Sequence, residues 1–103
     1  MQSEVFAHFL KNGNHEVART TTTEIPSGAN LNDYTTKGDF YSNGTRENSP
    51  GGGDLYLEVK VIGDLIVQEA TLVSIEIIDN PVAIYTQKTR VRYSGYWTSW
   101  KEI

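Results

Sequence analysis

The alternation of apolar and polar positions predicts strands over most of this chain. In residues 54–63, DLYLEVKVIG, apolar side chains occupy every second position, which is the period of a strand with one covered face. Residues 64–79, DLIVQEATLVSIEIID, also fit a helical spacing. Val, Ile and Thr are frequent there, however, and these residues favour a pleated surface over a helix. The pattern therefore predicts a second strand, with a break near Glu69.

The remaining strands are shorter and are joined by turn signals. Residues 82–93 and 96–103 predict two strands that meet at Ser94-Gly95, and residues 39–41 predict a short one. Asn30 is a candidate N-cap for a single helical turn. The predicted class is a small all-β, mostly antiparallel sheet domain with an N-terminal hairpin arm and at most one short helical turn.

The N-terminal part of the chain predicts a hairpin around Asn12-Gly13, a pair that suits a tight turn. A polar stretch, residues 20–30, follows it and is interpreted as a linker. The sequence therefore predicts two parts of the chain: an arm and linker at residues 1–28 and a β domain at residues 29–103. The first strand of the hairpin is apolar on both faces, so we expect a second copy of the chain to cover one of them. The predicted oligomer interface consists of Phe6, His8, Phe9 and Leu10.

Composition narrows the classes of partner. The formal net charge of −4 argues against nucleic acid as the main partner. The chain has no cysteine, which excludes disulfides and a thiol nucleophile. The basic stretch KTRVR, residues 88–92, is expected to be a solvated strand face. The chain has no apolar run long enough to cross a membrane, and its first residues lack the pattern of a signal peptide. We therefore expect synthesis in the cytoplasm without membrane insertion.

Candidate catalytic groups are few. The two histidines, His8 and His15, face each other across the predicted hairpin, but a metal site needs three or four ligands. No nucleophile-elbow motif is present. Four acids lie near strand ends or loops, where such residues more often form turns: Asp33, Asp39, Asp54 and Asp64. The sequence predicts a protein without catalytic residues, metal or cofactor.

The closing residues 90–103, RVRYSGYWTSWKEI, resemble the C-terminal signature of the knob-type domain of bacteriophage tail fibres, which also occurs in phage-tail-like pyocins. Residues 29–44, ANLNDYTTKGDFYSNG, resemble the opening of that domain. Residues 48–63, NSPGGGDLYLEVKVIG, resemble its second block. The three blocks follow the family's order and span about three-quarters of the chain.

This resemblance implies a β-structured module of a virion appendage, commonly in trimeric fibres, and it implies no catalytic residue. The expected function is that of a non-enzymatic phage or prophage structural protein in a tail fibre, baseplate or similar appendage. Its expected partners are copies of itself in a homo-oligomer, with a trimer favoured, other virion tail proteins and a host cell-surface polysaccharide. The alternatives are a small glycan-binding module and a glycan-degrading enzyme.

The two tryptophans near the C-terminus pose a separate question. Regular alternation places Trp97 and Trp100 on opposite faces of the last strand, so a shared platform would need a bulge. Trp97, on the same face as Ile103, is the better core candidate, with Val91 and Tyr93 across the hairpin. We expect both rings to be structural first, with Trp100 the one that could be displayed. The predicted carbohydrate-binding residues are Trp100, Tyr96, Arg90 and Arg92.

Overall fold

The computed structural model describes residues 22–77 and 79–103 of the chain. The predicted hairpin around Asn12-Gly13 and both histidines lie outside these residues. The predicted oligomer interface lies outside them as well: Phe6, His8, Phe9 and Leu10.

The described residues form an all-β structure, which confirms the predicted class. Seven strands make one sheet in the order β1-β3-β5-β6-β7-β8, with β9 also paired to β7, and β2 pairs with β4 separately. The β1–β3 and β2–β4 pairs are parallel and the others are antiparallel. The strands are β1 Thr22–Glu24, β2 Ala29–Asn30, β3 Gly38–Ser42, β4 Arg46–Glu47, β5 Asp54–Ile62, β6 Leu65–Ile77, β7 Pro81–Tyr93, β8 Tyr96–Trp97 and β9 Lys101–Glu102.

Strand β6 runs without interruption, so the predicted break near Glu69 is wrong. Glu69 pairs in regular register with Glu58 on β5 and with Thr89 on β7. Its Oε1 accepts a hydrogen bond from Lys60 Nζ at 2.9 Å. The acidic side chain therefore has a cationic partner on the sheet surface, and the strand continues past it.

One face of the sheet carries the core. Leu55, Leu57 and Val59 of β5 alternate toward this face and are almost completely buried. Ile25 and Leu31 cover them from the chain that precedes β3. Burial of apolar side chains of this size stabilises the fold by about 1.5–3 kcal/mol each.

The sequence predicts a linker at residues 20–30, and for the described part of this range the prediction is wrong. Strand β1 adds to the sheet beside β3, and Ile25 is only 2% exposed in the core. The turn that Pro26, Ser27 and Gly28 predict is present in the structure, since Gly28 has a positive φ of 86°. It reverses the chain onto the core face. A separate arm formed by the preceding residues stays a prediction.

The predicted helical turn is present as a 3₁₀ turn at Leu31–Asp33. Asn30 caps it as expected, because its Oδ1 accepts a hydrogen bond from Asn32 N at 2.9 Å. The turn inserts Leu31, which is fully buried, into the core. It also holds Asn32 near the closing strands.

Strands β6 and β7 extend beyond β5 as a two-stranded ribbon, residues 74–77 and 81–84. The pairing of β5 with β6 ends at Asp54 and Val73, whereas β6 and β7 stay paired as far as Ile77 and Pro81. Ile77, Val82 and Ile84 are exposed on this ribbon. A two-stranded hairpin with exposed apolar side chains is only marginally stable without a further partner.

Candidate functional site

The last strand of the sheet is interrupted by a β-bulge. Arg92 pairs with Trp97 and Thr89 pairs with Lys101, so three residues between these pairs on the edge strand face two on β7. Two hydrogen bonds fix the bulge: Thr98 N donates to Val91 O at 2.8 Å, and Val91 N donates to Thr98 Oγ1 at 2.9 Å. One extra residue on a strand re-aims the side chains that follow it.

The bulge brings the two tryptophans to the same side chain. The guanidinium carbon of Arg90 lies 3.9 Å from the centroid of the Trp97 ring and 4.6 Å from that of Trp100. The expectation that the rings point to opposite faces is therefore wrong, and its physical reason is the extra residue. A guanidinium between two indole rings gains cation–π and stacking attraction.

The roles expected for the two rings are also exchanged. Trp100 packs against the core cluster, and its Nε1 donates to Asn48 O at 3.0 Å. Ile103 and Tyr93, the expected partners of Trp97, are exposed. Trp97 therefore contributes to stability mainly through its contact with Arg90, whereas Trp100 packs against the core.

A buried glutamine connects this cluster to the 3₁₀ turn. Gln68 of β6 is fully buried, and its Oε1 accepts a hydrogen bond from Arg90 Nε at 2.8 Å. Gln68 Nε2 donates to Leu31 O at 2.8 Å and to Tyr34 O at 2.9 Å. Each polar atom of this side chain has a partner, as a buried amide requires. The hydrogen bond to Gln68 therefore fixes the position of the Arg90 side chain.

Arg90 itself is a buried cation. It is only 5% exposed, which corrects the expectation that the basic stretch KTRVR is a solvated face. Burial lowers the pKa of Arg90 to about 10, so the side chain stays charged at neutral pH. Its Nη2 is buried without a hydrogen-bond partner, and no described carboxylate forms an ion pair with it.

These residues line an open cleft of about 430 Å³, called the Arg90 cleft here. Arg90, Trp97 and Trp100 form part of its wall. The other lining residues are polar: Asn32, Asn48, Ser49, Thr98 and Ser99. Asn32 also lines the cleft, and its Oδ1 is buried without a hydrogen-bond partner in the described part of the chain. Two residues that line the cleft, Arg90 and Asn32, therefore each carry a buried polar atom whose hydrogen-bonding capacity is unused there.

No protein-family model, curated protein or solved structure matches this chain. The resemblance to knob-type domains accordingly stays a prediction.

The three sequence blocks of that resemblance meet at the Arg90 cleft. Asn48 Nδ2, in the second block, donates to Asn30 Oδ1 in the first block at 2.8 Å. Trp100, in the third block, donates to the carbonyl of the same Asn48. Stretches that are distant in sequence therefore build one local structure.

Two of the four predicted carbohydrate-binding residues lie in the cleft. Arg90 and Trp100 line it, whereas Tyr96 and Arg92 do not. Tyr96 is 79% exposed on the edge strand. No sequence signal marks Asn32 as a site residue, and Asn48 is marked only by the turn composition of its surroundings. Asn48 has a positive φ of 57°, a backbone conformation that asparagine tolerates.

A second cavity, of about 650 Å³, lies in the polar loop between β3 and β5. Arg46 lines it, and all three nitrogens of its guanidinium have hydrogen-bond partners. Its Nε donates to Ser49 Oγ, its Nη1 to Ser42 Oγ, and both Nη atoms reach backbone carbonyls of the loop glycines. Arg46 therefore holds the loop together, and the Arg90 cleft is the one with an unused cationic donor.

The candidate acids do not converge on the Arg90 cleft. Asp39 accepts a hydrogen bond from the Tyr56 hydroxyl at 2.8 Å. Burial raises the pKa of Tyr56, and the bond to Asp39 raises it further. Burial also raises the pKa of Asp54, which lies at the start of β5. Within the described part of the chain, none of the residues that line the cleft is an acid.

Residues 22–77 and 79–103 lack two further classes of site. No group of three or more His, Cys, Asp or Glu residues there could hold a metal ion. No helix in this part of the chain is long and apolar enough to cross a membrane.

Proposed function

We propose that this chain is a non-enzymatic structural module of a phage or prophage appendage, such as a tail fibre or baseplate, that attaches to a polysaccharide of the host cell surface through the Arg90 cleft. The module would be made in the bacterial cytoplasm and assembled into the virion with other tail proteins. The convergence of the three resembling blocks at this cleft supports the proposal, because the residues that carry the resemblance have a common structural role.

The chemistry of the cleft carries the attachment part of the proposal. Ring edges and faces of Trp97 and Trp100 offer apolar surface, and the amides of Asn32 and Asn48 with the Ser99 hydroxyl offer hydrogen-bonding groups. Carbohydrates present apolar C–H faces and hydroxyl groups together, and a cleft of aromatic and neutral polar groups complements both.

The same lining argues for binding over cleavage of a glycan. Glycoside hydrolysis normally uses a pair of carboxylic acids on the two sides of the scissile bond. The described residues that line the cleft include no Asp or Glu. A glycan-binding role therefore needs no group that is missing from the cleft, whereas hydrolysis there does.

The substitution Ser99→Glu tests the attachment. Ser99 is exposed and lines the cleft, so a carboxylate at this position would crowd the entrance without disturbing the core. We expect the variant to keep the melting temperature of the unmodified protein and to lose at least about tenfold in binding to host cells, which corresponds to about 1.4 kcal/mol. Fluorescently labelled protein and flow cytometry measure this.

The matched control is Gln87→Glu, which adds the same charge at an exposed position of β7 that does not line the cleft. This variant should bind host cells as well as the unmodified protein. Equal binding by Ser99→Glu and Gln87→Glu would overturn the proposal that the cleft attaches the module.

We also propose that the chain forms a homo-oligomer and that the ribbon contributes to the contact between copies. The resemblance favours a trimer. In the described part of the chain, no third strand pairs with ribbon residues 74–77, and Ile77 and Val82 expose apolar surface beside this open edge. Open strand edges and exposed apolar side chains both favour association with another chain.

The substitution Ile77→Lys tests this contact. Ile77 is 74% exposed, and Ile103, which lies outside the ribbon, is 72% exposed, so Ile103→Lys is a closely matched control. We expect Ile77→Lys to lower the assembled mass measured by sedimentation or light scattering, and Ile103→Lys to leave it unchanged. An unchanged mass for Ile77→Lys would remove the ribbon from the interface.

A further inference from the structure

Arg90 is a buried cation that uses little of its hydrogen-bonding capacity. A guanidinium has five N–H donors, and within the described residues only the Nε–H of Arg90 has a partner, the Oε1 of Gln68. The comparison with Arg46 is direct, because Arg46 donates from Nε and from both Nη atoms. The guanidinium of Arg46 therefore has hydrogen-bond partners on all three nitrogens, whereas that of Arg90 has a partner on one among the described residues.

A buried guanidinium whose Nη groups have no hydrogen-bond partner lowers the stability of the folded protein. Removing a charge from water without a counter-ion costs several kcal/mol, and an unpaired buried donor adds to the cost. The indole rings of Trp97 and Trp100 compensate in part through cation–π attraction. They offer no acceptor to the Nη protons, so the position is better suited to holding a ligand anion than to stability alone.

The fork geometry selects the chemical class of the anion. A planar guanidinium pairs with a carboxylate through two parallel N–H···O bonds. A phosphate group carries more charge and is usually bound by several cations, whereas Arg90 is the only cationic residue among the described residues that line the cleft. The single negative charge of one carboxylate neutralises the single positive charge of the Arg90 guanidinium.

The groups around Arg90 describe the rest of the ligand. Asn32 lines the same cleft and carries a buried Oδ1 without a hydrogen-bond partner among the described residues, an acceptor that a hydroxyl group of a ligand would satisfy. Ser99 and Asn48 supply further polar contacts at the rim. A molecule that carries one carboxylate and several hydroxyl groups satisfies both the unused donor and the unused acceptor.

We propose that the Arg90 cleft recognises an acidic sugar unit, with the sugar carboxylate paired to the Arg90 guanidinium and a sugar hydroxyl donating to Asn32. This inference rests on the proposed function and names its ligand class: a surface polysaccharide that contains uronic acid or a similar carboxylated sugar.

Calorimetric titration of the unmodified protein with D-glucuronate and with D-glucose, at constant ionic strength, tests the selectivity. A pair of charge-assisted hydrogen bonds is expected to favour glucuronate by about tenfold or more. Acetate, which has the carboxylate without the hydroxyl groups, should bind more weakly than glucuronate. Equal binding of glucose and glucuronate would overturn the inference.

Two variants separate the role of the fork from that of charge. Arg90→Lys keeps a cation but lacks the planar fork, and Arg90→Gln lacks both, so we expect both to lose the preference for glucuronate. Arg92→Gln is the matched control, since Arg92 does not line the cleft, and it should keep the preference. If Arg90→Gln does not fold, the titrations of the unmodified protein still decide the outcome.

A competition assay distinguishes this inference from the proposed function. Glucuronate should compete with the binding of unmodified protein to host cells, and glucose should not. If Ser99→Glu abolishes cell binding but glucuronate does not compete, the attachment role stands and the acidic-sugar inference is wrong. If Ser99→Glu leaves cell binding intact and neither sugar binds, the proposed function and the inference both fail.

Discussion

Replacing Trp100 with alanine is expected to destabilise the protein by about 3 kcal/mol, the lower part of the range for truncating a large aromatic side chain in a core. Trp100 packs against the core cluster, stacks on Arg90 and donates to Asn48 O. Its removal would leave a cavity and an unpaired carbonyl. This loss is a large part of the roughly 5–15 kcal/mol that stabilises a domain.

Trp97→Ala is the matched control for this prediction. Trp97 also stacks on Arg90 but is not among the residues packed against the core cluster, so we expect a smaller loss of about 1–2 kcal/mol. Urea denaturation followed by circular dichroism compares the two variants without relying on the fluorophore that is removed. A larger loss for Trp97→Ala than for Trp100→Ala would contradict the assignment of Trp100 to the core.

Arg46→Ala is the second substitution with a large expected effect. Arg46 ties the loop between β3 and β5 through hydrogen bonds to two serine hydroxyls and three backbone carbonyls. Hydrogen bonds to a charged group contribute about 1.5–3 kcal/mol each and are not additive, so we expect a loss of at least about 3 kcal/mol. The free energy of unfolding from urea titration measures it.

Two companion variants sharpen this test. Arg46→Lys keeps the charge but lacks the planar fork, so it should recover only part of the stability. Arg92→Ala removes an arginine for which the described residues give no hydrogen bond, and it should cost less than about 1 kcal/mol. Similar unfolding free energies for Arg46→Ala and Arg92→Ala would show that the loop does not depend on its arginine.

The regular strands of this fold could be predicted from the sequence because their side chains alternate. Leu55, Leu57 and Val59 show the period of a half-buried strand, and β5 is present where the pattern places it. The Asn30-capped turn was also predictable, since the cap acts within three residues. Such local signals depend on few distant contacts.

The candidate site could be predicted only in part, because its geometry depends on an irregularity and on distant partners. Arg90 and Trp100 were identified from residue type, but the bulge that brings Trp97 beside them breaks the alternation from which the faces were inferred. Asn48 contacts Trp100 across 52 residues of sequence. Amino-acid composition contains no information about such a contact.

The burial of Arg90 could not be predicted from the sequence for a related reason. Alternating charges in a strand usually mark a solvated face, and KTRVR has this pattern. The side chain is instead covered by two aromatic rings and by Gln68, which are supplied by other parts of the chain. Tertiary partners thus overrode the local charge pattern.

The most direct measurement of the central claim, that the Arg90 cleft binds a carboxylated sugar, is a nuclear magnetic resonance titration of isotope-labelled protein with D-glucuronate. The Nε–H of Arg90 and the two indole N–H groups give separate signals that report on the cleft. We expect all three to shift together and saturably with glucuronate, while glucose has little effect and the amides of ribbon residues 74–77 stay unchanged. Absence of saturable shifts at these three signals, or equal shifts with glucose, would contradict the claim.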